Sequence, residues 1–537
     1  MNKEENQMKK LLALVLAVLM VLSMVACNNT PVETNPTATQ GGSATQPKET
    51  EPAAKDPVTI TYWYPGFGEM EDSQKVEDKL NEILKTIPGY EHITIDLQCQ
   101  PLANYATSFT LAQANKEQID LVASYSLNMS NLWNNGDIVP LDDLLEKYPN
   151  VVSEIPDWMV DMGLMYGEQA YIPSQQQATT MYFWKFFKSQ MDPYLEAYRI
   201  TLDDVKAIIT DGNPKAICDF LEEYVLFQRS YSGVDTIFAR KTLTPKLWTE
   251  MEFVYIDNGN LVLREGGDKV EWTGMMAAYQ YVLGRMAEWY DEGILCEDPT
   301  AKVSGSKPGQ EYSYCWAENY NVATEEMMSE IYPDPECYFI AARSDYYIPS
   351  VYAAGGTFIY ADCAHPEEAM MIMELLHSSV HGVEFYNTLA WGLEGEHWEW
   401  EDKEAKRIKT LEFDAGQGTS TCTYAAYPWA LGNSFNAYQN QATRPGQVEY
   451  KIQVHNDPTT TPSPAMGITW DLTGIEDIYL QCKAISEEYD VISFYTLGAE
   501  GWKARYDEYI TKMKVAGIDV LLAELTDQLE EYLANKG

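Results

Sequence analysis

Residues 58–63, VTITYW, alternate apolar and polar side chains in the way a strand requires, and Pro65-Gly66 stops the run. Val76, Leu80, Ile83, Leu84 and Ile87 then recur at helical spacing, and Pro88-Gly89 ends that helix. Ile93-Thr94-Ile95-Asp96-Leu97 reads as a second strand. A helix over about Asn104 to Asn115 follows, and then the strand Ile119-Asp120-Leu121-Val122-Ala123. Strands that alternate with helices predict a parallel sheet with helices on its faces, so the fold class is α/β. Ligands of such sheets bind beyond the carboxyl ends of the strands. Two loops are nominated in this way: Trp63-Tyr64-Pro65-Gly66 and Ser124-Tyr125-Ser126.

Toward the N-terminus, Lys9 and Lys10 precede an apolar run from Leu11 to Leu22, and Met24-Val25-Ala26-Cys27 closes it. A basic start, a short apolar stretch and small residues before a cut site are a secretory signal, expected over 1–26. The run falls short of the roughly 20 apolar residues that span a bilayer. A cysteine directly after the small residue is the bacterial lipoprotein signature, so Cys27 is expected to carry a lipid. Residues 28–57 are rich in Thr, Pro, Asn, Gln and Gly and nearly devoid of large apolar side chains. Such a segment cannot offset the entropy of ordering and is expected to be a disordered tether. Its root-mean-square reach is roughly 30 Å.

Composition narrows the function classes. The 37 basic and 81 acidic residues give a formal net charge of −44, which repels nucleic acid and disfavours anionic ligands unless a local basic pocket exists. About 480 residues follow the tether, too many for one core, so two or more lobes are expected. Aromatics are abundant, and the 14 Trp and 37 Tyr far outnumber the 15 Phe. Rings with a polar tip suit a surface that must be flat, apolar and hydrogen-bonding at once, as sugars demand. Besides Cys27 there are eight cysteines, Cys99, Cys218, Cys296, Cys315, Cys337, Cys363, Cys422 and Cys482, widely spaced and without metal-ligand clustering. They are open to disulfides or to buried thiols.

Further along, Phe253-Val254-Tyr255-Ile256 and Leu261-Val262-Leu263 flank Asp257-Asn258-Gly259-Asn260, a hairpin signal. Met275, Tyr279, Leu283, Met286 and Tyr290 share a helix face that reads as core. Gly356 to Tyr360 is strand-like and precedes a helix opened by Pro366. Ile518, Leu522, Leu525, Leu529 and Leu533 form one helical stripe. Catalytic signatures are missing. Gly66-Phe67-Gly68-Glu69-Met70-Glu71 lacks the third glycine of a dinucleotide loop, and its glutamates would oppose a pyrophosphate. His377 and His381 stand four apart, but Ser378 occupies the place of the glutamate in a zinc-protease helix, so both read as solvated helix histidines. No cofactor and no metal are expected. Carboxylate pairs for glycoside hydrolysis stay open, since 81 acidic residues supply many pairs.

Several collinear stretches resemble the extracellular solute-binding proteins of carbohydrate ABC importers, in their Gram-positive lipoprotein branch. Ile60 to Gly66 resembles the first strand and loop, and Ile119-Asp120-Leu121-Val122 the third strand. Gly136-Asp137-Ile138-Val139-Pro140-Leu141-Asp142 resembles a helix start, and Gly167-Glu168-Gln169-Ala170-Tyr171-Ile172-Pro173 the strand that enters the hinge. Trp289 to Leu295, His365 to Ala369 and Trp391 to Trp398 resemble later elements of the branch.

The resemblance implies a two-lobed periplasmic-binding-protein-like fold of type II, each lobe a sheet flanked by helices, with the ligand cleft at the hinge. Lobe 1 would comprise 58–173 and 351–400, and lobe 2 would comprise 174–350 and 401–537. It implies a protein that is not an enzyme, a monomeric receptor held on the outer face of the cytoplasmic membrane by its lipid alone. Its partners would be an oligosaccharide and the permease. Trp63, Tyr64, Tyr125, Trp316 and Trp391 would stack on sugar faces; Gln175, Gln176, Asn319 and Glu394 would hydrogen-bond hydroxyls. Trp391 stands where the branch has tyrosine. The alternatives are a surface glycosidase or lyase, and a glycan-holding or sensing lipoprotein without a transporter.

Overall fold

A computed structural model of the protein describes residues 55–67, 70–176, 178, 180–232, 251–253, 260–264, 267–295, 315–321, 337–341, 347–348, 355–414, 419–420, 423–443, 446–457 and 460–536. The signal segment, Cys27 and nearly all of the tether lie outside them.

The described chain opens with β1 (Val58–Gly66), α1 (Ser73–Leu84), β2 (Ile93–Pro101), α2 (Tyr105–Asn115) and β3 (Leu121–Ala123). β1 runs parallel to β2, from Val58 opposite Ile93 to Gly66 opposite Pro101, and parallel to β3 with Tyr62 opposite Leu121. Alternation sorts its side chains. Val58, Ile60, Tyr62 and Tyr64 pack with Val76, Leu80, Ile83 and Leu84 of α1, whereas Trp63 turns to the other face and packs with Tyr105 and Phe109 of α2. Both faces are covered, as parallel sheets require. Burying each such side chain contributes roughly 1.5–3 kcal/mol. After several short helices the chain reaches β4 (Ile172–Pro173) at the sheet's far edge.

The chain then leaves for a second sheet. β5 (Thr180–Phe187) is its centre, and α3 (Pro214–Ser232) and α4 (Ala277–Asp291) pack beside it. β6 (Cys315–Asn321) and β7 (Cys337–Ala341) flank β5, both antiparallel to it. The core here is aromatic: Phe183, Trp184, Phe186 and Phe187 of β5 meet Tyr224 of α3 and Trp289 of α4. Met286 and Leu283 of the expected α4 stripe are buried; Leu283 reaches a neighbouring core. Strands Met251–Phe253 and Leu261–Arg264 pair antiparallel, as the hairpin signal requires, although the turn between them lies outside the described residues.

The return strand β8 (Gly356–Ile359) enters the first sheet between β3 and β4, antiparallel to both, which gives the order β2-β1-β3-β8-β4. Next come α5 (Pro366–His377), α6 (Val383–Trp391), β9 (Trp398–Asp402) and β10 (Arg407–Thr410). Tyr424, Ala426, Leu431 and Met466 join the core of β1 and α1. The chain ends with α7 (Gln447–His455), α8 (Glu476–Glu488), α9 (Gly498–Ala516) and α10 (Ile518–Lys536). Ile518, Leu525 and Leu529 of the expected tail stripe are buried against Trp272 and its neighbours.

One expectation is corrected. His377 is not a solvated helix residue: it is 1% exposed, neither ring nitrogen has a partner, and burial holds its pKa down at about 3. It is the last residue of α5, whose Leu375 and Leu376 also face inward, so the ring is packed as an apolar plug. His381 lies beyond the helix and is exposed. Among the described residues, Cys99, Cys218, Cys363 and Cys482 are free thiols.

Candidate ligand-binding site

Two chain crossings meet beside the carboxyl ends of β1 and β3. The first leaves β4 at Ser174; the second re-enters at Gly355, whose carbonyl accepts the Ser174 N–H at 3.0 Å. Gly355 has φ +70°, and a Cβ there would meet Ser124 Oγ at 2.6 Å and Tyr125 N at 3.0 Å. Only glycine lets this crossing lie against the loop after β3. Ser124 Oγ in turn accepts the Gly356 N–H at 2.7 Å. Tyr125 is thereby fixed at the mouth of the sheet, half-buried.

Around it stands an aromatic group. Phe67 follows β1, and its N–H donates to Ala425 O at 2.9 Å, which draws residues 425–429 alongside the strand end. Tyr427 lies 5.2 Å from Tyr125 and 4.6 Å from Phe67, centroid to centroid, and Trp429 lies 4.2 Å from Tyr427. Trp429 is 36% exposed, a large share for a ring of its size. Gln176 on the first crossing donates from Nε2 to Trp429 O at 3.0 Å. Burial, followed by the neighbouring Tyr125 phenol, pushes the Tyr427 hydroxyl up to about 12, so it stays a neutral hydrogen-bonding group at physiological pH. The base of this group is rigid: Tyr386 Oη donates to Pro428 O at 2.5 Å, and Ser434 N donates to Gln175 O at 2.7 Å.

The other candidates fall elsewhere. Trp63 is 4% exposed and sits edge-on to Phe109, and Tyr64 is fully buried with its hydroxyl 2.8 Å from that of Tyr424. Neither ring presents a face to a ligand in this conformation. The cause is that β1 continues pairing through Gly66, so these residues belong to a covered strand and not to the loop. Gln175 is buried, with Nε2 donating to Glu154 O. Trp391 is half-buried against the first core, and Glu394 is exposed on the turn that follows α6. Trp316 and Asn319 lie on β6 opposite Lys185 and Tyr182; their side chains lie outside the described residues. Phe67, Tyr427 and Trp429 were not among the candidates. Tyr427-Pro428-Trp429, two aromatics around a proline, was the one local signal for them.

The turn after α6 has a different construction. His397 is buried; its Nδ1 accepts the Leu393 N–H at 2.9 Å and its Nε2 faces Asp72 Oδ2 at 3.3 Å. Trp398 Nε1 donates to Gly392 O at 3.1 Å. Thr423 Oγ1 donates to the same Asp72 oxygen at 2.5 Å, and this bond, with Lys75, holds the Asp72 carboxyl down at about 2. Among the described residues, no group of three or more His, Cys, Asp or Glu is placed to hold a metal ion, and no helix is long and apolar enough to cross a membrane.

Comparison with known structures assigns this architecture. The N-glycan transport solute-binding protein NgtS of Streptococcus pneumoniae superposes with a TM-score of 0.68 at 16% identity, over 90% of this chain and 100% of that one. An extracellular solute-binding protein of Bifidobacterium longum subsp. infantis superposes at 0.57 with 12% identity, over 90% and 100%. A solute-binding protein from B. longum infantis, described as binding HMOs and associated with an ABC transporter, superposes at 0.54 with 12% identity, over 89% and 98%. The fold is that of the two-lobed solute-binding proteins, type II. Residues 464–534 match a family described as a domain of unknown function, DUF3502. No curated protein matches the chain.

Proposed function

We propose that this protein is a lipid-anchored receptor that captures an oligosaccharide between its lobes and delivers it to the permease of an ABC importer. The observation that carries the reading is the aromatic group of Phe67, Tyr125, Tyr427 and Trp429, set beside the chain crossings at the carboxyl ends of parallel strands. Rings with exposed faces and polar tips match a sugar's C–H faces and hydroxyls. Gln176 lies at hydrogen-bonding range of the same group. Trp316 and Asn319, on a flanking strand of the second lobe, are proposed to meet the ligand from the opposite side.

Binding would favour the closed arrangement of the lobes by the difference in affinity between closed and open forms. The permease would then read closure. A lipid on Cys27 with a flexible tether would raise the effective concentration for docking. The named neighbours are binding proteins, and structures of NgtS are described in complex with Man1GlcNAc and Man5GlcNAc. Those glycans are a rational start for a panel.

Isothermal titration of the purified protein against neutral and charged oligosaccharides tests the reading. Saturable heat with at least one glycan is expected. Silence with every glycan, or release of product from one that binds, overturns it.

A further inference from the structure

Trp429 lies at the centre of a short helical turn, Pro428–Ala430. The carbonyls along this turn are taken up in different ways. Tyr427 O accepts the Ala430 N–H at 2.9 Å, within the turn. Pro428 O accepts the Leu431 N–H at 3.2 Å and the hydroxyl of Tyr386, which belongs to α6 and the first core. Trp429 O faces the first crossing and accepts from Gln176 Nε2 at 3.0 Å. A backbone carbonyl can only accept, so this contact fixes the Gln176 amide with its nitrogen toward the turn. The amide expected to serve sugar hydroxyls thus gives one of its donors to the protein itself.

The crossing is gripped on both sides of Gln176. Before it, Gln175 O accepts the Ser434 N–H at 2.7 Å and the Ser434 hydroxyl at 2.8 Å. After it, the Ala178 N–H donates to His455 Nε2 at 3.0 Å. The crossing therefore runs alongside the segment from Trp429 to Ser434, and Gln176 is the side chain that reaches the turn. Trp429 is packed on one side: its ring lies 4.2 Å from Tyr427 and 5.9 Å from Phe67, centroid to centroid, while 36% of the residue stays exposed. A ring held in this way can change its tilt through a small rotation of its backbone. Stacking on a sugar is sensitive to such a change, because even a small gap forfeits much of the contact energy.

We infer that Gln176 is a positioning residue: its amide holds the Trp429 carbonyl so that the open indole face stays aimed at the ligand, and it ties that ring to the crossing between the lobes. This inference rests on the reading of the protein as an oligosaccharide receptor. Closure of two-lobed receptors is a rotation about their crossings. A shift of the first crossing then moves Trp429 through Gln176, so the ring offered to the ligand follows the state of the hinge. What the contact needs is a donor. A carboxylate of the same length has no proton to give to Trp429 O at neutral pH, whereas it would accept from a sugar hydroxyl readily.

The experiment takes a glycan from the titration panel that binds the intact protein and measures its affinity for Gln176→Glu, Trp429→Ala and the double variant. Gln176→Glu is expected to weaken binding about fivefold, within the span that one hydrogen bond covers. It should add nothing in the Trp429→Ala background, because the two residues act as one unit. Fluorine NMR of protein labelled with fluorotryptophan gives an independent readout. The Trp429 line, assigned by its loss in Trp429→Phe, should be displaced in Gln176→Glu before any glycan is added. Gln176→Lys, which restores a donor, should recover part of the affinity and bring the line back toward its place. Gln176→Leu, which also lacks a donor, replaces the glutamate variant if the latter unfolds. Affinity retained in Gln176→Glu overturns the inference. So does a loss of the same size in the Trp429→Ala background, which would make Gln176 a direct ligand contact. Both outcomes leave the receptor reading standing. Silence of the intact protein with every glycan removes both.

Discussion

Two aromatic-rich stretches lie against residues that follow β1, one against Phe67 and the other against Asp72, and differ in what their rings do. At one end Tyr427 and Trp429 pack on Phe67 and Tyr125 packs on Tyr427, with Trp429 open to solvent. At the other stand Trp391, His397 and Trp398, whose polar atoms, Trp391 Nε1 excepted, close on the protein itself and on Asp72. The difference teaches that an aromatic motif is not a binding site by virtue of its rings. What separates the two is whether a ring face is left open. The first stretch is the one proposed to receive the ligand; the second holds a turn against the start of α1.

The largest expected effect tests the second stretch. His397→Ala leaves the Leu393 N–H without an acceptor and vacates a packed space, which costs about 3 kcal/mol of stability. Urea unfolding should record that loss, while glycan affinity of the folded variant is retained. A variant that is as stable as the parent but has lost glycan binding would reverse the two roles. The next effect tests the first stretch. Trp429→Ala should weaken glycan binding by about 1–3 kcal/mol, as removal of a central aromatic does, with the unfolding midpoint nearly unchanged. Unchanged affinity in a folded variant removes Trp429 from the site.

A third effect concerns the support of the first stretch. The His377 carbonyl accepts from Asn433 and Asn436, just past Trp429, while its ring is buried without partners. Its ordinary pKa is 6.5 and the folded value is about 3. As pH falls below 6.5 the unfolded chain takes up a proton that the folded chain refuses. Stability is thus complete above 6.5 and is lost as pH falls toward 3, by about 1.4 kcal/mol per pH unit for one proton. Denaturant midpoints between pH 7 and 4 should fall less steeply in His377→Leu. Equal slopes would mean that His377 does not set the acid sensitivity.

The first lobe was legible because its code is local. Residues 58–63 alternate, Val76, Leu80, Ile83 and Leu84 recur at helical spacing, and the structure places strand and helix there. The site was legible only in part. Tyr125 follows a strand whose end could be read. Tyr427 and Trp429 approach it from some 300 residues away, through backbone bonds at Phe67 and Gln175 that no local pattern announces. His377 failed for a related reason: a histidine reads as polar, yet a neutral ring in a full core behaves as an apolar one. Trp63 and Tyr64 are buried in this conformation through a boundary, since the strand runs on through Pro65-Gly66, which pair with Gln100 and Pro101. A proline at the end of a strand removes one donor and need not stop the ladder.

The smallest effect bears on that boundary. Tyr64→Phe removes one hydroxyl from a buried pair. Tyr424 Oη keeps the Leu389 carbonyl at 2.7 Å, so no polar atom of Tyr424 is orphaned. The expected cost is about 1 kcal/mol of stability, the net worth of one buried hydrogen bond. Glycan affinity should not move, because a fully buried phenol at the centre of the first core has no route to a sugar. The opposite result, stability retained and binding weakened, would mean that the lobe opens around β1 when ligand enters. The contrast between a closed and an open aromatic region would then hold only for the unliganded protein.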